Sequence, residues 1–347
     1  MAQPEVRITK KARWLTVLTG LALVATAAYW ILLGVFADRH WLGTVVAYTP
    51  RFVAYLPTVL VLPIAAVMRH KWHFLANLAG LLVAIFIVGG VEFPGLCRSG
   101  PPERTVTLVV QNLAHRNEIG AMAKLVEAHK PDVLLLQECQ PPGVSIDSSE
   151  VRPGQLVGQP DYHLVIDHNL CMLSRYPVLK VLHRDRSEVW KQGGCGAIAL
   201  YELDAPMGKI WVQNIHLETI REGLSGLVKF RLGGIVTMHE SMEQRELEAA
   251  AAEEWAKQAK GPLLIGGDFN LVEESALMNK HFGEMDNAFD ECGFGNGDTK
   301  VTKFGPLYFR SRIDHVLSSS EWSVVEAKQA VEVGSDHLGL VTTFTLR

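Results

Sequence analysis

Apolar positions are distributed along this chain in two distinct ways. From Trp14 to Phe36 they form a run of 23 residues without a charge, and long apolar runs return at Phe52–Met68 and Trp72–Phe93. A helix rises about 1.5 Å per residue, so the first and third runs can cross a hydrocarbon core of about 30 Å. The second sits at the short end of the spanning range and contains Pro57 and Pro63. The pattern predicts about three transmembrane helices over residues 14–93, behind a basic N-terminus of residues 1–13. Trp14, Trp30, Trp41, Tyr55 and Trp72 fall near the ends of the spans, where amphipathic rings prefer to sit. A cleaved secretory signal is the competing reading, since basic residues precede the first run and Ala25-Thr26-Ala27 resembles a cleavage site. Against it, the run continues past Ala27 and two more follow.

Beyond Phe93 the pattern changes. Residues 94–104, with Gly100, Pro101 and Pro102, read as a linker, and residues 105–347 alternate short β-rich stretches with helical ones, an α/β signature. Strands are predicted at Thr105–Val110, Val133–Gln137, Tyr162–Ile166, Cys171–Ser174, Ala197–Leu203, Ile210–Ile215, Leu263–Ile265, Ile313–Leu317 and Leu340–Phe344. Helices are predicted at Glu118–His129 and Ser241–Lys260, the latter closed by Gly261-Pro262. One segment, residues 223–234, is unusually apolar for a loop: Leu224, Leu227, Val228, Phe230 and Leu232 interleave with Lys229 and Arg231. Either it packs as a short strand or helix, or it dips into a membrane interface with its cations on lipid phosphates. The basic and aromatic stretch Lys300, Lys303, Phe304, Tyr308, Arg310 and Arg312 is a candidate facing wall of the same entrance.

Charge adds an orientation. Arg7, Lys10, Lys11 and Arg13 make the first flank the most basic, so it is expected in the cytoplasm, and three spans then put the α/β domain on the outer face of a cell membrane. Residues 1–97 hold eight of the 33 Lys and Arg and three of the 37 Asp and Glu, which leaves 25 against 34 for the rest, a balance of −9. Proteins that grip a nucleic-acid backbone usually present a basic face, so this balance disfavours a nuclease. The five cysteines, Cys97, Cys139, Cys171, Cys195 and Cys292, show neither a C-x-x-C pair nor metal-finger spacing, and individually buried thiols are the expectation.

Polar residues recur at the ends of the apolar strands: Asn112 in TLVVQN, Glu138 in VLLLQE, His216 in WVQNIH, Asp268 and Asn270 in GGDFN, Asp314 in RIDHV, Asp336 and His337 in GSDH. An α/β scaffold exposes strand ends at one rim of its sheets. Any one of these has a structural explanation; together, in this order, they point to a catalytic site.

At these residues the chain resembles the endonuclease/exonuclease/phosphatase superfamily, over roughly Thr105 to Arg347. The matching stretches are VVQN, PDVLLLQE, LSRYPV, NIHLE, GGDFN, RIDHV and SDHLG. The resemblance implies a four-layered α/β sandwich, two packed mixed β-sheets flanked by helices. It also implies that Glu138 binds a divalent cation with Asn112 and Asp336 nearby, a set of oxygen ligands that suits Mg²⁺ or Mn²⁺. Asp314 would accept a hydrogen bond from His337 and stabilise its cation; Asp268 would orient or deprotonate the attacking water. Asn270 would hold a phosphate oxygen, and His216 would donate to the phosphoryl group. The sequence departs from many members at His315, where an aromatic residue is common, and Cys139 directly follows Glu138.

The implied activity is metal-dependent hydrolysis of a phosphoester. The expected partners are the lipid bilayer and a phosphorylated lipid or other envelope phosphoester. External nucleic acid is the alternative substrate, and a degenerate domain used only for binding is the third reading.

Overall fold

The computed structural model describes residues 10–93, 95, 97, 104–115, 118–139, 150–153, 161–167, 169–183, 197–304 and 307–347. The apolar runs fold as helices α1 (Lys10–Phe36), α2 (Trp41–Ala47), α3 (Leu56–Val67) and α4 (Lys71–Val83), the last continued by a π-helical turn over Ala84–Val88. Two stretches are long and apolar enough to cross a membrane by length and composition, Ala12–Phe36 with 25 residues and Lys71–Val88 with 18. Between them α3 has only 12 residues, a rise of about 18 Å. The middle run is shorter than expected because Pro50 and a 3-10 turn over Arg51–Ala54 delay the start of the helix.

These helices pack as an up-down-up bundle with apolar residues on its outside. Trp14, Leu21, Val24, Trp30, Leu60, Val67, Trp72 and Ile87 are exposed on its outside, while Thr19, Thr26, Thr58 and Asn77 are buried within it. Asn77 donates to Thr19 Oγ1 at 3.0 Å and Thr16 lies 3.0 Å from the His73 ring, so α1 and α4 run in the same direction. Thr26 bonds the Ala54 carbonyl at 3.3 Å, whereas Val61 and Ala65 pack with Leu15 and Ala22, so α3 runs back between them. A close approach drives this packing: a Cβ on Gly80 would lie 2.5 Å from Leu23 Cδ2. Small and polar groups thus lie at the contacts, with apolar groups outside.

The α/β domain follows as β1 (Thr105–Asn112), α5 (Glu118–His129), β2 (Val133–Gln137), β3 (Glu150–Pro153), β4 (His163–Asp167), β5 (Leu170–Ser174), β6 (Val178–His183), β7 (Ala197–Ala205) and β8 (Gly208–His216). Next come α6 (Arg221–Val228), α7 (Gly233–Ala256), β9 (Leu263–Asp268), α8 (Ala276–Phe282), β10 (Asp286–Asn287) and α9 (Ala288–Cys292). The chain ends with β11 (Lys300–Phe304), β12 (Leu307–Ser311), β13 (Asp314–Ser318), β14 (Trp322–Gln329) and β15 (Leu340–Leu346). One mixed sheet has the order β14-β15-β1-β2-β5-β4-β3 and the other β10-β13-β9-β8-β7-β6, with β11 and β12 forming a separate hairpin. Their inner faces share a core that includes Leu108, Val110, Leu135, Tyr201, Val212, Leu264 and Phe344. Helix α5 covers the outside of the first sheet through Met122 and Leu125, and α7 and α8 cover the second through Ala249, Ala252 and Leu277. The architecture is therefore the four-layered sandwich that the resemblance implies.

Three expectations need correction. Four cysteines are paired, not isolated: Cys97 with Cys292 and Cys139 with Cys171, with Cα atoms 5.6 and 5.9 Å apart; Cys195 lies outside the described residues. Partners separated by 195 and 32 residues meet only once the fold has made them neighbours, which spacing does not reveal. The helix predicted from Ser241 starts at Gly233 instead, and residues 221–228 form the short α6 packed against it. Glycines permit that contact, since a Cβ on Gly234 would meet Leu227 N at 2.7 Å and Gly223 O at 2.8 Å. Finally, Lys300 and Arg312 are buried in ion pairs rather than lining an entrance: Lys300 with Asp336, and Arg312 with Glu273 and Asp290.

Candidate active site

Strand register assembles the site. Parallel pairing of β8 with β9 sets His216 opposite Asp268, and antiparallel pairing of β9 with β13 sets Asp268 opposite Asp314. One row across the rim of the second sheet thus carries His216, Asp268 and Asp314. On the first sheet the same rim carries Asn112, beside Gln137 at the end of β2, with Glu138 next in sequence. The two rims meet because Gly266 lets the sheets approach: a Cβ there would lie 2.6 Å from Val110 Cγ2. At Gly267, with φ +155°, a Cβ would fall 1.9 Å from Ile215 O, so the strand that delivers Asp268 requires glycine at this point.

Within the cluster, Asn112 Nδ2 donates to Asp268 Oδ2 at 2.9 Å and to Glu138 Oε1 at 3.2 Å. Its amide oxygen accepts from the Ala114 N–H at 2.9 Å, so Asn112 braces the two carboxylates across the sheets. His337 Nδ1 lies 2.9 Å from Asp314 Oδ2, and its Nε2 is 3.7 Å from Asp268 Oδ2. His216 Nε2 is 3.8 Å from both Glu138 and Asp268. Asn169 Nδ2 lies 3.2 Å from His216 Nδ1, which leaves Nε2 of the ring facing the site. Asn270 stands in the left-handed region at φ +48°, where its N–H bonds Asp268 Oδ1 at 2.9 Å and its Nδ2 bonds the Leu217 carbonyl at 2.8 Å. Glu138 is also left-handed, at φ +47°, and remains partly open to solvent.

Burial and neighbouring charge set the proton affinities. Burial raises the Asp268 carboxyl above the usual carboxylate range and Asp314 raises it further, while His337 and His216 act in the opposite sense. Burial disfavours an imidazolium at His337, but Asp314 and Asp268 outweigh it and lift the ring to about 8. Asp336 is held below the usual range: burial opposes its charge, yet Lys300, 2.6 Å away, prevails. Asp268, Asp314 and His337 bring their donor atoms within 4.8 Å of one another, and Glu138 stands across Asn112 from them. The carboxylates of Glu138 and Asp268, bridged by Asn112, make an oxygen-rich, anionic set that fits a hard divalent cation, with His337 held as a cation beside it.

Of the residues that the sequence predicts, Asn112, Glu138, His216, Asp268, Asn270, Asp314 and His337 come together directly. Asp336 lies beside His337 in sequence, with one carboxylate oxygen committed to Lys300. Several supports had no signal of their own. Asn169 orients His216. Gln137 and Asn214 cross-link the two sheets one step behind the rim at 2.6 Å. Ser335 ties the His337 loop to the Asn112 carbonyl at 2.7 Å, and Thr299 Oγ1 receives the N–H groups of Ile313 and Asp314. His315 is structural: it is buried against Phe269, and its Nε2 donates to the Leu271 carbonyl at 2.9 Å.

A family model described as the endonuclease/exonuclease/phosphatase family matches residues 110–337, a span that includes every residue of the cluster. No curated protein matches the chain. Among solved structures, D. rerio TDP2 complexed with a single-strand DNA product is 15% identical with a TM-score of 0.51, and the match covers 70% of this chain and 99% of that one. An endonuclease/exonuclease/phosphatase family protein from Bacteroides thetaiotaomicron is 15% identical with a TM-score of 0.50, covering 70% and 98%. The mannosyl-6-phosphatase Bt3783 of the same organism is 15% identical with a TM-score of 0.48, covering 70% and 100%. Members of the matched family are divalent-metal-dependent hydrolases of phosphate ester and phosphodiester bonds, and the chain belongs to it: this is an endonuclease/exonuclease/phosphatase-family phosphoesterase.

Proposed function

We propose that the protein is a membrane-anchored, Mg²⁺- or Mn²⁺-dependent phosphoesterase that acts on a phosphate ester or diphosphate of a lipid or other envelope substrate, from the outer face of the membrane. The observation that carries this reading is the N-terminal bundle itself, apolar on the outside, polar within and packed directly onto the α/β domain. Tyr29, Leu33, Ala37 and Val88 form one cluster with Val272 and Ile313, so the ends of α1 and α4 meet the domain close to the catalytic rim. Arg13, Arg69 and Lys71 lie at the opposite end of the bundle. Placing the basic end in the cytoplasm puts the domain outside, and two disulfides suit an oxidising compartment.

A second feature supports a lipid substrate. The turn between α6 and α7 projects Phe230, 97% exposed, and Leu232, 81% exposed, with Lys229 and Arg231 interleaved. Helix α7 also touches the bundle, where Thr44 bonds Met242 Sδ at 3.5 Å, nine residues beyond the start of α7. Apolar tips flanked by cations suit a bilayer interface with anionic head groups.

In the proposed reaction Glu138 would hold the cation, with Asn112 and Asp336 as the further candidate ligands, and the ion would supply neutralisation of charge at the phosphoryl oxygens. Asp268, raised in proton affinity by its burial, orients the water and accepts its proton. His216 donates from Nε2 to the phosphoryl group, Asn270 holds a phosphate oxygen, and His337, supported by Asp314, faces the developing charge as a cation. The test measures product release from a lipid diphosphate, a sphingomyelin-like diester and plasmid DNA, each with Mg²⁺ and with chelator. Metal-dependent turnover of a lipid substrate, lost in Glu138→Ala, is the expected result. Turnover of DNA alone would replace the lipid reading by a nuclease, and wild-type turnover by Glu138→Ala would overturn the metal assignment.

A further inference from the structure

The segment joining α1 to α3 reaches further into the site than an anchor requires. Arg245 on α7 is fully buried, and its Nη1 donates both to the Asn270 carbonyl at 2.7 Å and to Tyr48 Oη at 2.8 Å. Its Nη2 pairs with Asp38, itself buried and left-handed at φ +58°. The Tyr48 hydroxyl donates to the same Asn270 carbonyl, and burial keeps that phenol protonated by pushing its proton affinity up. On its other side the Asn270 peptide N–H holds Asp268 Oδ1. The Ala276 N–H reaches back to the Ala37 carbonyl at 3.3 Å, and Ile313, next to Asp314, packs in the cluster with Ala37 and Ala47. Asn270 occupies the left-handed region, which Asn enters more readily than most residues, and its carbonyl is held there by Tyr48 directly and by Asp38 through Arg245.

We infer that residues 37–48 are a positioning element of the active site: Tyr48, together with Asp38 acting through Arg245, fixes the Asn270 peptide and through it the carboxylate of Asp268. The N-terminal region is thereby part of the catalytic support, and a change in how the bundle sits on the domain would be felt at Asp268. This rests on the phosphoesterase reading for its kinetic consequence but not for its structural one.

The test uses the full chain in detergent micelles, with bis(p-nitrophenyl) phosphate and Mg²⁺ as a soluble probe. Tyr48→Phe removes one hydroxyl and leaves the ring in place; Asp38→Asn removes the charge that orders Arg245. Supports of this kind act within about a 10- to 100-fold range. Each variant is expected to lower kcat within that range with KM kept, and to speed amide hydrogen exchange over residues 266–274 specifically. Arg245→Lys, which keeps charge but loses the fork, should resemble Asp38→Asn. Wild-type kcat and wild-type exchange in both Tyr48→Phe and Asp38→Asn would overturn the inference. Faster exchange throughout the domain, with kcat falling only as folded protein is lost, would overturn it too, since that is mere stability. If the wild type turns over no phosphoester, the functional reading fails, while exchange confined to residues 266–274 still decides the positioning role.

Discussion

The ion pair between His337 and Asp314 offers the sharpest quantitative test of the site. Its atoms are 2.9 Å apart and its side chains 2% and 1% exposed, so neither charge has solvent to fall back on. Removing one partner of a pair this deeply buried costs about 3–5 kcal/mol, because the other is left uncompensated. That figure is a cost to folding; in rate, a positioned acid–base group contributes about 10²–10⁴ in kcat, which at about 1.36 kcal/mol per power of ten is about 3–5 kcal/mol of barrier. Asp314→Ala and His337→Ala are each expected in that range. If the two act as one unit, the double variant loses little more than the worse single one; if they act independently, the losses multiply to about 10⁴–10⁸. The assay is kcat on a soluble phosphodiester at saturating Mg²⁺, with thermal unfolding of every variant measured alongside to exclude loss of folded enzyme. Multiplicative losses in well-folded variants would refute the pairing.

Two further outcomes follow from other parts of the structure. Burial and the nearby Arg312 lower His315 from 6.5 to about 4, so the folded state resists a proton that the unfolded chain accepts. Stability is therefore fully present above pH 6.5 and falls by about 3 kcal/mol as the pH drops through 4; denaturant titrations at pH 7 and pH 4.5 should show that loss, and His315→Gln should flatten it, an unchanged acid slope counting against the assignment. Phe230→Ser combined with Leu232→Ser should reduce turnover of a bilayer-embedded substrate far more than that of a soluble phosphoester, whereas equal losses would make the tip part of the fold and not a membrane contact. Leu227, in the same apolar segment, is half-buried near Gly234 and does not belong to this tip.

The part of the site that could be read from the sequence is the part encoded by strand ends. His216, Asp268 and Asp314 each terminate or begin an apolar strand, and once β8, β9 and β13 pair, the period of the sheet leaves them in one row. GGDFN is informative for a similar reason, since both glycines answer to local steric demands that any substitution would violate. Strands β6 and β14 carry weak sequence patterns: β6 is largely half-exposed, and β14 is interrupted by a bulge between Val324 and Glu326. α7 was truncated for the opposite reason, as Gly233 and Gly234 read as breakers but serve a close helix contact.

Contacts between parts of the chain that are distant in sequence were not legible, and they change what individual residues do. Lys300 and Arg312 look like an exposed basic wall, yet each is drawn inward by a carboxylate that no local pattern associates with it. Arg245 is the clearest instance. It sits in a polar stretch of helix, GluGlnArgGluLeu, where a solvated surface is the natural reading, and the structure buries it completely between Asp38 and Asn270, 207 and 25 residues away. A fully buried guanidinium is tolerable only when most of its donors are met, and here Asp38, Tyr48 and the Asn270 carbonyl meet those of the two terminal nitrogens, while Nε has no partner among the described residues. The residue therefore couples two regions that composition separates: an apolar N-terminal bundle and an acidic α/β domain. If Arg245 were merely a core residue, exchanging the Asp38–Arg245 pair for apolar groups of similar volume would leave the rate unchanged, because well-packed replacements of buried pairs are often neutral for stability. A positioning role demands the reverse, a folded protein that has lost rate, and the difference lies in the carbonyl of Asn270, which an apolar side chain cannot hold.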